Sequence, residues 1–574
     1  MTAVHSLLLL ATLLIVVQVG GSGGGSPYSL GTHMRLFIDD HLLDVWDNHT
    51  LRLLLNPPVP RKDPVLTADA PWERAAAAEA TGGTVLGPAA PGGPLRMWYD
   101  LQANISDPSV AYIPAMAYAE SMDGVTWVKP KLDVTLFAGT TSTNIVAWGI
   151  NGSNISAPCP PNVWVDPNAP PHERYKTQGE FYVSGKDGRH AKVFRFAASP
   201  DGIHWSTLCD LEGMGSIDSF TTVRWSQVAG RYQMYLRDYF PNDHGGAMPI
   251  MHHYRGSRRL VSKTSVFPRD GSDWVHESVT LRPDARDNAT HGAAAVPNAS
   301  ALPPPVDFYG AVPFHVSGTP PDTLLMLVNR YWHVSGTCVT EECFTGGPGT
   351  HTDALMVSRD DGKSWRYVGD RATLLGTGMV GSWSSEFVWS MREPVTVNDR
   401  MLLYYWGSNV RETHKSPIDP AAPDGRRMSG IGVAEGRVNG LGSLDAAYGQ
   451  RGSATTVPIV FNGSSLTLNV DCGGHGQLRV EVQDAAGTPS ACFTLARSVP
   501  IWSNGLAVPA RWDGDGSDHE QDDGRHCAEP SIADFVGQAI RLRFELEDCK
   551  LYSFQFKTNE SRKETVVSGA LRNL

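Results

Sequence analysis

The residues of this chain best suited to chemistry are acids that stand beside aromatic side chains. Three share a phrase, acid then aromatic, in IDSFTTV (Asp218), VDFYGAV (Asp307) and SSEFVWS (Glu386). Asp100 in MWYDL, Asp238 in YLRDYF and Glu79 just before TGGTVLG complete a set of six. Converging carboxyls of this kind can cleave a glycosidic bond. One, held protonated by burial or neighbouring charge, donates to the leaving oxygen, and another, ionised, acts as nucleophile or base. Position favours Glu386 or Glu79 as the acid and Asp218 or Asp238 as the base. Trp98, Trp332 and Trp389 would stack on sugar faces, and Arg237, Arg330, His333 and Asn409 would bind substrate, with Arg411 and His414 at the same strand end as Asn409. The competing reading is structural: the acids cap strand amides and pair with Arg237, Arg330 and Arg392 around a closed axis.

What could bring these residues together is shown by a repeat. ESMDGVTW, ASPDGIHW, FPRDGSDW and VSRDDGKSW end at Trp127, Trp205, Trp274 and Trp365, which lie 78, 69 and 91 residues apart. That spacing suits four-stranded propeller blades with long loops. Asp supplies an acceptor for turn amides, Gly takes positive φ, and the Trp that follows covers the turn. The fourth copy, Ser358, Asp360, Gly362 and Trp365, fits the Asp-box spacing of sugar-active propellers, and the others are one residue shorter. These turns are structural and serve as a ruler. They join the third and fourth strands of each blade, so a pocket is expected on the opposite face, at the starts of first strands and the ends of second strands. The acids named above fall there.

Counting from each Trp turn gives five blades. The first uses TGGTVLG, LRMWYDL, IPAMAYAES and the strand after Trp127; the second uses NVWVD, EFYVSG, KVFRFAAS and the strand from Trp205. The third uses FTTVRW, YQMYLRDYF, the SKTSVF region and WVHESVTL, and the fourth uses FYGAVPFHV, TLLMLVNRYWHV, ALMVSR and WRYVG. The fifth, FVWSMREPVTV, MLLYYWGS and SGIGVAEG, lacks a fourth strand, which MRLFIDDHLL (34–43) is expected to supply by closing the ring. Beyond a linker, short alternating strands LTLNV, QLRVEVQD, IRLRFELED and KLYSFQFK indicate a small antiparallel β-sandwich. The expectation is an all-β chain: a five-bladed β-propeller over 34–440 and a β-sandwich over 450–560. The stretches 284–305 and 415–427, rich in Pro, Ala and Asp, read as insertions.

Bulk properties narrow the partners. Lys plus Arg total 48 against 60 for Asp plus Glu, a formal charge of −12, which argues against nucleic acid or an anionic membrane. Leu7 to Val19 is apolar and followed by small residues up to Ser26, the pattern of a cleaved signal peptide, with an uncleaved anchor as the alternative. No stable membrane insertion is expected after cleavage. Eight cysteines suit disulfides in an oxidising compartment, and eight sequons, at Asn48, Asn104, Asn151, Asn154, Asn288, Asn298, Asn462 and Asn559, point the same way. A secreted eukaryotic glycoprotein is expected. Zinc, nucleotide and serine-hydrolase motifs are missing from the sequence, so no cofactor is expected; this many acids could hold a structural calcium on the axis, without a dedicated calcium loop.

Taken in order, LFIDDHLL, RMWYD, the DG-Trp turns, GIGVAEG and the run LRVEVQD, LRFELED, LYSFQF resemble a group of secreted five-bladed propeller proteins similar to the N-terminal domain of glycoside hydrolase family 32. The resemblance covers nearly the whole mature chain and implies the same propeller-plus-sandwich architecture. The family's motifs are Trp-Met-Asn-Asp-Pro, Arg-Asp-Pro and Glu-Cys. The nearest strings here are IDD at 38–40, Arg237-Asp238-Tyr239 and Glu342-Cys343, and Cys343 sits five residues from Cys338, a spacing suited to a local disulfide. Invertase activity is therefore not expected, and the arginine triad and Tyr nucleophile of sialidases find no counterpart. The sequence points to a secreted glycoside hydrolase-like protein whose ligand is a poly- or oligosaccharide. The rival is a non-catalytic glycan-binding or matrix protein.

Overall fold

A computed structural model describes residues 26–558 apart from 77, 104–112, 149–160, 185–189, 213–220, 241–253, 285, 288–305, 334–348, 411–427, 515–526 and 528. The fold is all-β. Five antiparallel sheets follow one another along the chain as the blades of a propeller, and two six-stranded sheets form a sandwich.

The blades run, from first to fourth strand, Glu79–Leu86, Leu95–Ala103, Ile113–Ser121, Ile145–Trp148; then Trp164–Val165, Tyr175–Ser184, His190–Ser199, Ser206–Leu211; then Thr222–Ser226, Arg231–Phe240, Tyr254–Ser262, Trp274–Leu281. Blade four is Val306–Phe314, Leu324–His333 and Gly349–Ser358 with the outer pieces Arg366–Tyr367 and Thr373–Leu375, and blade five is Phe387–Ser390, Arg400–Ser408 and Ser429–Arg437. Apolar side chains fill the space between neighbouring blades, such as Trp98, Tyr118, Val163 and Phe181 between one and two. Between five and one lie Leu101, Met391, Tyr404 and Val433.

The DG-Trp turns behave as their chemistry requires. Asp123 Oδ1 accepts from the amides of Val125 (2.8 Å) and Thr126 (2.7 Å), and Asp360 Oδ1 from those of Lys363 (3.0 Å) and Ser364 (2.9 Å). Those amides hold the Asp123 carboxyl well below the usual carboxylate range. Gly202 shows why the turn needs glycine: its φ is +84°, and a Cβ there would lie 2.5 Å from the Trp98 ring.

Four parts of the expected layout differ. The ring is closed not by 34–43 but by Val59–Pro60, paired with Glu435 and Ala434, and continued where the Arg61 amide donates to Val433 O and that of Val65 to Ile431 O. Proline suits an outermost strand because its missing N–H faces outward. The 34–43 segment instead pairs through Arg35–Leu36 with sandwich strand Lys550–Lys557. Its alternation serves two cores: Phe37 packs among sandwich residues, while Met34, Leu36 and Ile38 pack against blades four and five. In blade one, Val128 only bridges Glu120, and the fourth strand is Ile145–Trp148. In blade three, the third strand is Tyr254–Ser262, upstream of most of SKTSVF, because its ladder to Arg231–Phe240 runs from Tyr254 to Val261. Blade five also has a short extra piece, Val395–Val397.

One sandwich sheet comprises Tyr28–Gly31, Leu43–Trp46, Arg451–Thr456, Ile459–Phe461, Gln477–Asp484 and Ile540–Glu547. The other comprises Arg35–Leu36, Leu51–Leu55, Gly442–Ala446, Ser465–Asp471, Asn504–Pro509 and Lys550–Lys557. The chain thus enters the sandwich before the propeller and returns to it afterwards. Disulfides Cys472–Cys549 and Cys492–Cys527 brace the sandwich, and Cys338 and Cys343 lie outside the described residues. No helix among the described residues is long and apolar enough to cross a membrane.

Candidate functional site

Glu79 opens the first strand of blade one, Asp307 is the second residue of the first strand of blade four, and Glu386 immediately precedes the first strand of blade five. All three therefore stand at the end of the propeller opposite the DG-Trp turns. Asp218 lies outside the described residues, as do Arg411 and His414.

The five described acids lie on two pairs of adjoining blades. On blades three and four they belong to arginine pairs. Asp307 Oδ2 accepts from Arg255 Nη1 at 2.9 Å and Asp307 Oδ1 from the Arg255 amide at 3.2 Å, both side chains being buried. The Arg255 guanidinium also lies over the rings of Tyr309 and Tyr331, 5.1 and 5.6 Å from their centroids. Asp238 accepts from Arg258 Nε at 2.6 Å and is also bridged by Arg258 Nη2. The partners of these two acids are thus Arg255 and Arg258, neither of them among the arginines anticipated as partners.

Blades five and one carry the other three. Ser429 Oγ donates to Ala80 O at 3.1 Å, tying blade five to the residue after Glu79. The Glu386 backbone is held on both sides, its amide donating to Ser408 O at 3.1 Å and its carbonyl accepting from Thr350 Oγ1 of blade four. Asp100 is wholly buried and accepts from Thr81 Oγ1 at 2.9 Å and Gln102 Nε2 at 3.3 Å. Glu79 and Glu386 are half-buried. Glu79 and Asp100 thus belong to blade one, where Thr81 links Asp100 to the Glu79 strand, and Glu386 belongs to the adjoining blade five.

The residues expected to bind substrate scatter. Trp98 is fully buried between blades one and two, its indole donating to Gly202 O at 2.6 Å, so neither ring face is open to a sugar. Trp389 is buried among Tyr309, Phe387, His351 and Trp406. Arg330 turns outward to Arg371 O and Thr373 Oγ1, both at 2.9 Å, on the outer part of its own blade. Arg237 lies 4.1 Å over the Tyr309 ring. Asn409 is buried and accepts from the Met428 amide at 2.7 Å. Trp332 stays half-exposed with its indole on Thr352 Oγ1 at 2.8 Å, and His333 ends the second strand of blade four.

Two features went unread in the sequence, the partner of Arg392 and a buried polar chain. Arg392 donates to Asn162 Oδ1. Blades five and two are not neighbours in a five-membered ring, so this bond crosses the central channel. The second is a buried relay at the junction of blades four and five. Asp353 accepts from the Ser390 amide (2.7 Å) and hydroxyl and from Asn329 Nδ2 (2.8 Å), while Asn329 Oδ1 meets His351 Nδ1 at 2.6 Å. Burial pushes the Asp353 carboxyl up to about 6 despite those donors. The signal was two titratable residues, His351 and Asp353, two apart and so on one face of the strand GTHTDALMVS. Among the described residues, no group of three or more His, Cys, Asp or Glu is placed to hold a metal ion.

No protein-family model and no curated protein matches the chain. Solved structures do. Several of them are described as glycoside or glycosyl hydrolases. A fructofuranosidase from Schwanniomyces occidentalis complexed with fructose is 10% identical, covers 87% of this chain and 97% of its own, and superposes with a TM-score of 0.34. Exo-inulinase from Aspergillus awamori is 11% identical, covers 83% of this chain and 96% of its own, at a TM-score of 0.32. A structure described with the GH130 family of mannoside phosphorylases, which contains glycoside hydrolases that target β-1,2 mannosidic linkages in Candida mannan, is 10% identical, covers 69% and 99%, and has a TM-score of 0.35. At these values the activities remain those proteins' own.

Proposed function

We propose that this protein is a secreted glycoside hydrolase that cleaves a poly- or oligosaccharide at the propeller face opposite the DG-Trp turns. The observation that supports this is the placement of Glu79, Asp100 and Glu386 on adjoining blades one and five. Glu386 and Glu79, at first-strand starts, are the candidates for acid and base, and Asp100 supports the Glu79 strand through Thr81. Secretion is supported by the apolar N-terminal run and by two disulfides.

The test is sugar release from a panel of polysaccharides and aryl glycosides by the wild type, Glu386→Gln and Glu79→Gln. Release that falls at least about 100-fold in each variant, with unchanged thermal unfolding, supports the reading. The two arginine-paired acids favour the second reading, a non-catalytic glycan-binding protein. That reading prevails if the wild type releases nothing yet retains a glycan, with retention unaffected by either substitution.

A further inference from the structure

At one end of the sandwich, four turns from both sheets surround a cavity of about 670 Å³. They are 47–50, 447–450, 472–476 and 548–549, and the Cys472–Cys549 disulfide lies at their base. The volume falls within the roughly 300–1,000 Å³ that accommodates small organic ligands. On its rim stands Tyr448, 87% exposed. Its ring face is therefore open at the cavity mouth.

The same rim carries Asn48-His49-Thr50, a sequon whose second and third residues line the cavity. The turn that presents it is fixed: Asp47 Oδ1 accepts from the His49 amide at 3.0 Å, and Asp47 O from the Leu51 amide at 2.8 Å. Asn48 itself is exposed. Around the cavity, His49, Arg52 and His475 offer planar polar groups, and the Gly473-Gly474 turn leaves open space, with nothing within 4 Å of a Cβ built at either. An aromatic face flanked by planar polar groups is the chemistry that seats an N-acetylhexosamine: the ring takes the sugar's C–H face, and the polar groups take its hydroxyls and acetamide.

We propose that Asn48 is N-glycosylated and that the first sugars of its glycan lie in this cavity against Tyr448. In the modification, the Asn48 side-chain nitrogen bonds to C1 of a lipid-linked oligosaccharide and loses one proton. The C1–O bond to the lipid diphosphate breaks, and the diphosphate leaves with the electron pair. The sugars then cover the turns around Cys472–Cys549. This is independent of the activity of the propeller face.

The test uses the full chain expressed through a eukaryotic secretory pathway. Peptide mapping reads occupancy at Asn48, and timed treatment of the folded protein with a peptide amidase that removes N-glycans reads protection. The expected result is an occupied Asn48 whose glycan is released about fivefold faster in Tyr448→Ala, the factor that about 1 kcal/mol of sugar–ring contact corresponds to. Release after denaturation should be equal in both proteins. Tyr448 is too exposed for its loss to disturb folding. An unmodified Asn48 overturns the proposal, as does an occupied one released at the same rate with and without Tyr448.

Discussion

Asp307 is where the structural and catalytic readings diverge most sharply, and substituting it separates them. In Asp307→Ala, Arg255 loses a charged partner at 2.9 Å and its amide loses an acceptor at 3.2 Å, in a site where both side chains are buried. Removing one member of a buried pair costs about 3–5 kcal/mol, because the remaining charge stays desolvated. The faces of Tyr309 and Tyr331 lie under the guanidinium before and after the substitution, so they leave this difference unchanged. A loss of about 3–5 kcal/mol follows. Removing both charges, as in Arg255→Met with Asp307→Leu, should cost no more than about 1 kcal/mol, since neither ion is left to solvate. Urea unfolding followed by tryptophan fluorescence on the wild type, both single variants and the double variant gives the coupling directly. The reasoning is refuted if Asp307→Ala costs under about 1 kcal/mol, or if the double variant loses the sum of the singles. A stable Asp307→Ala that had lost sugar release would return Asp307 to the catalytic set.

Other consequences can be checked with the same unfolding assay. The Asp353 carboxyl sits at about 6, above its ordinary 3.8, so its contribution is fully present below about pH 4 and is lost as pH rises through 6. Wild type should lose about 3 kcal/mol relative to Asp353→Asn between pH 4 and 7, and a pH-independent difference would contradict this. Trp98→Phe should cost about 1 kcal/mol through the lost bond to Gly202 O. It should leave glycan retention unchanged, and altered retention would reinstate Trp98 as a sugar platform. Gly202→Ala should cost about 2 kcal/mol, since its φ is +84° and the new methyl meets the Trp98 ring; an unchanged unfolding midpoint would be the contrary result. Replacing Cys472 and Cys549 together by Ala should cost about 4 kcal/mol, the closure entropy of a link spanning 77 residues. A loss below about 1 kcal/mol would show that the bridge does not constrain the unfolded chain.

Much of the fold was legible because its signals are local. Asp123, Asp201, Asp270 and Asp360 each accept amide bonds within their own turns. Their chemistry therefore marks four blades without knowledge of any distant residue. Alternation in LRMWYDL and MLLYYWGS likewise reports strands, a property of period two. The closing strand was not legible, since Val59–Pro60 sits in a proline-rich run with no alternation and is recognised only by the edge it completes.

The site was less legible, for a reason inherent in propellers. Both faces of a blade are covered by its neighbours, so an aromatic residue packed between blades reads the same as one facing a pocket. Trp98 is held by Gly202, 104 residues away, and Trp389 by Tyr309 and Trp406. The acids are sorted by partners that sequence does not announce. Arg255 and Arg258 reach Asp307 and Asp238 only because the register of Tyr254–Ser262 and the packing of blade three on blade four put them there. Residue types and turn chemistry thus determined by themselves that this is an all-β chain of repeated blades with acids toward one end. Tertiary structure decided that Arg258 and Arg255 reach Asp238 and Asp307, that Glu79 and Glu386 fall on adjoining blades, and that Arg392 crosses the channel, because charge pairing depends on distances set by ring closure.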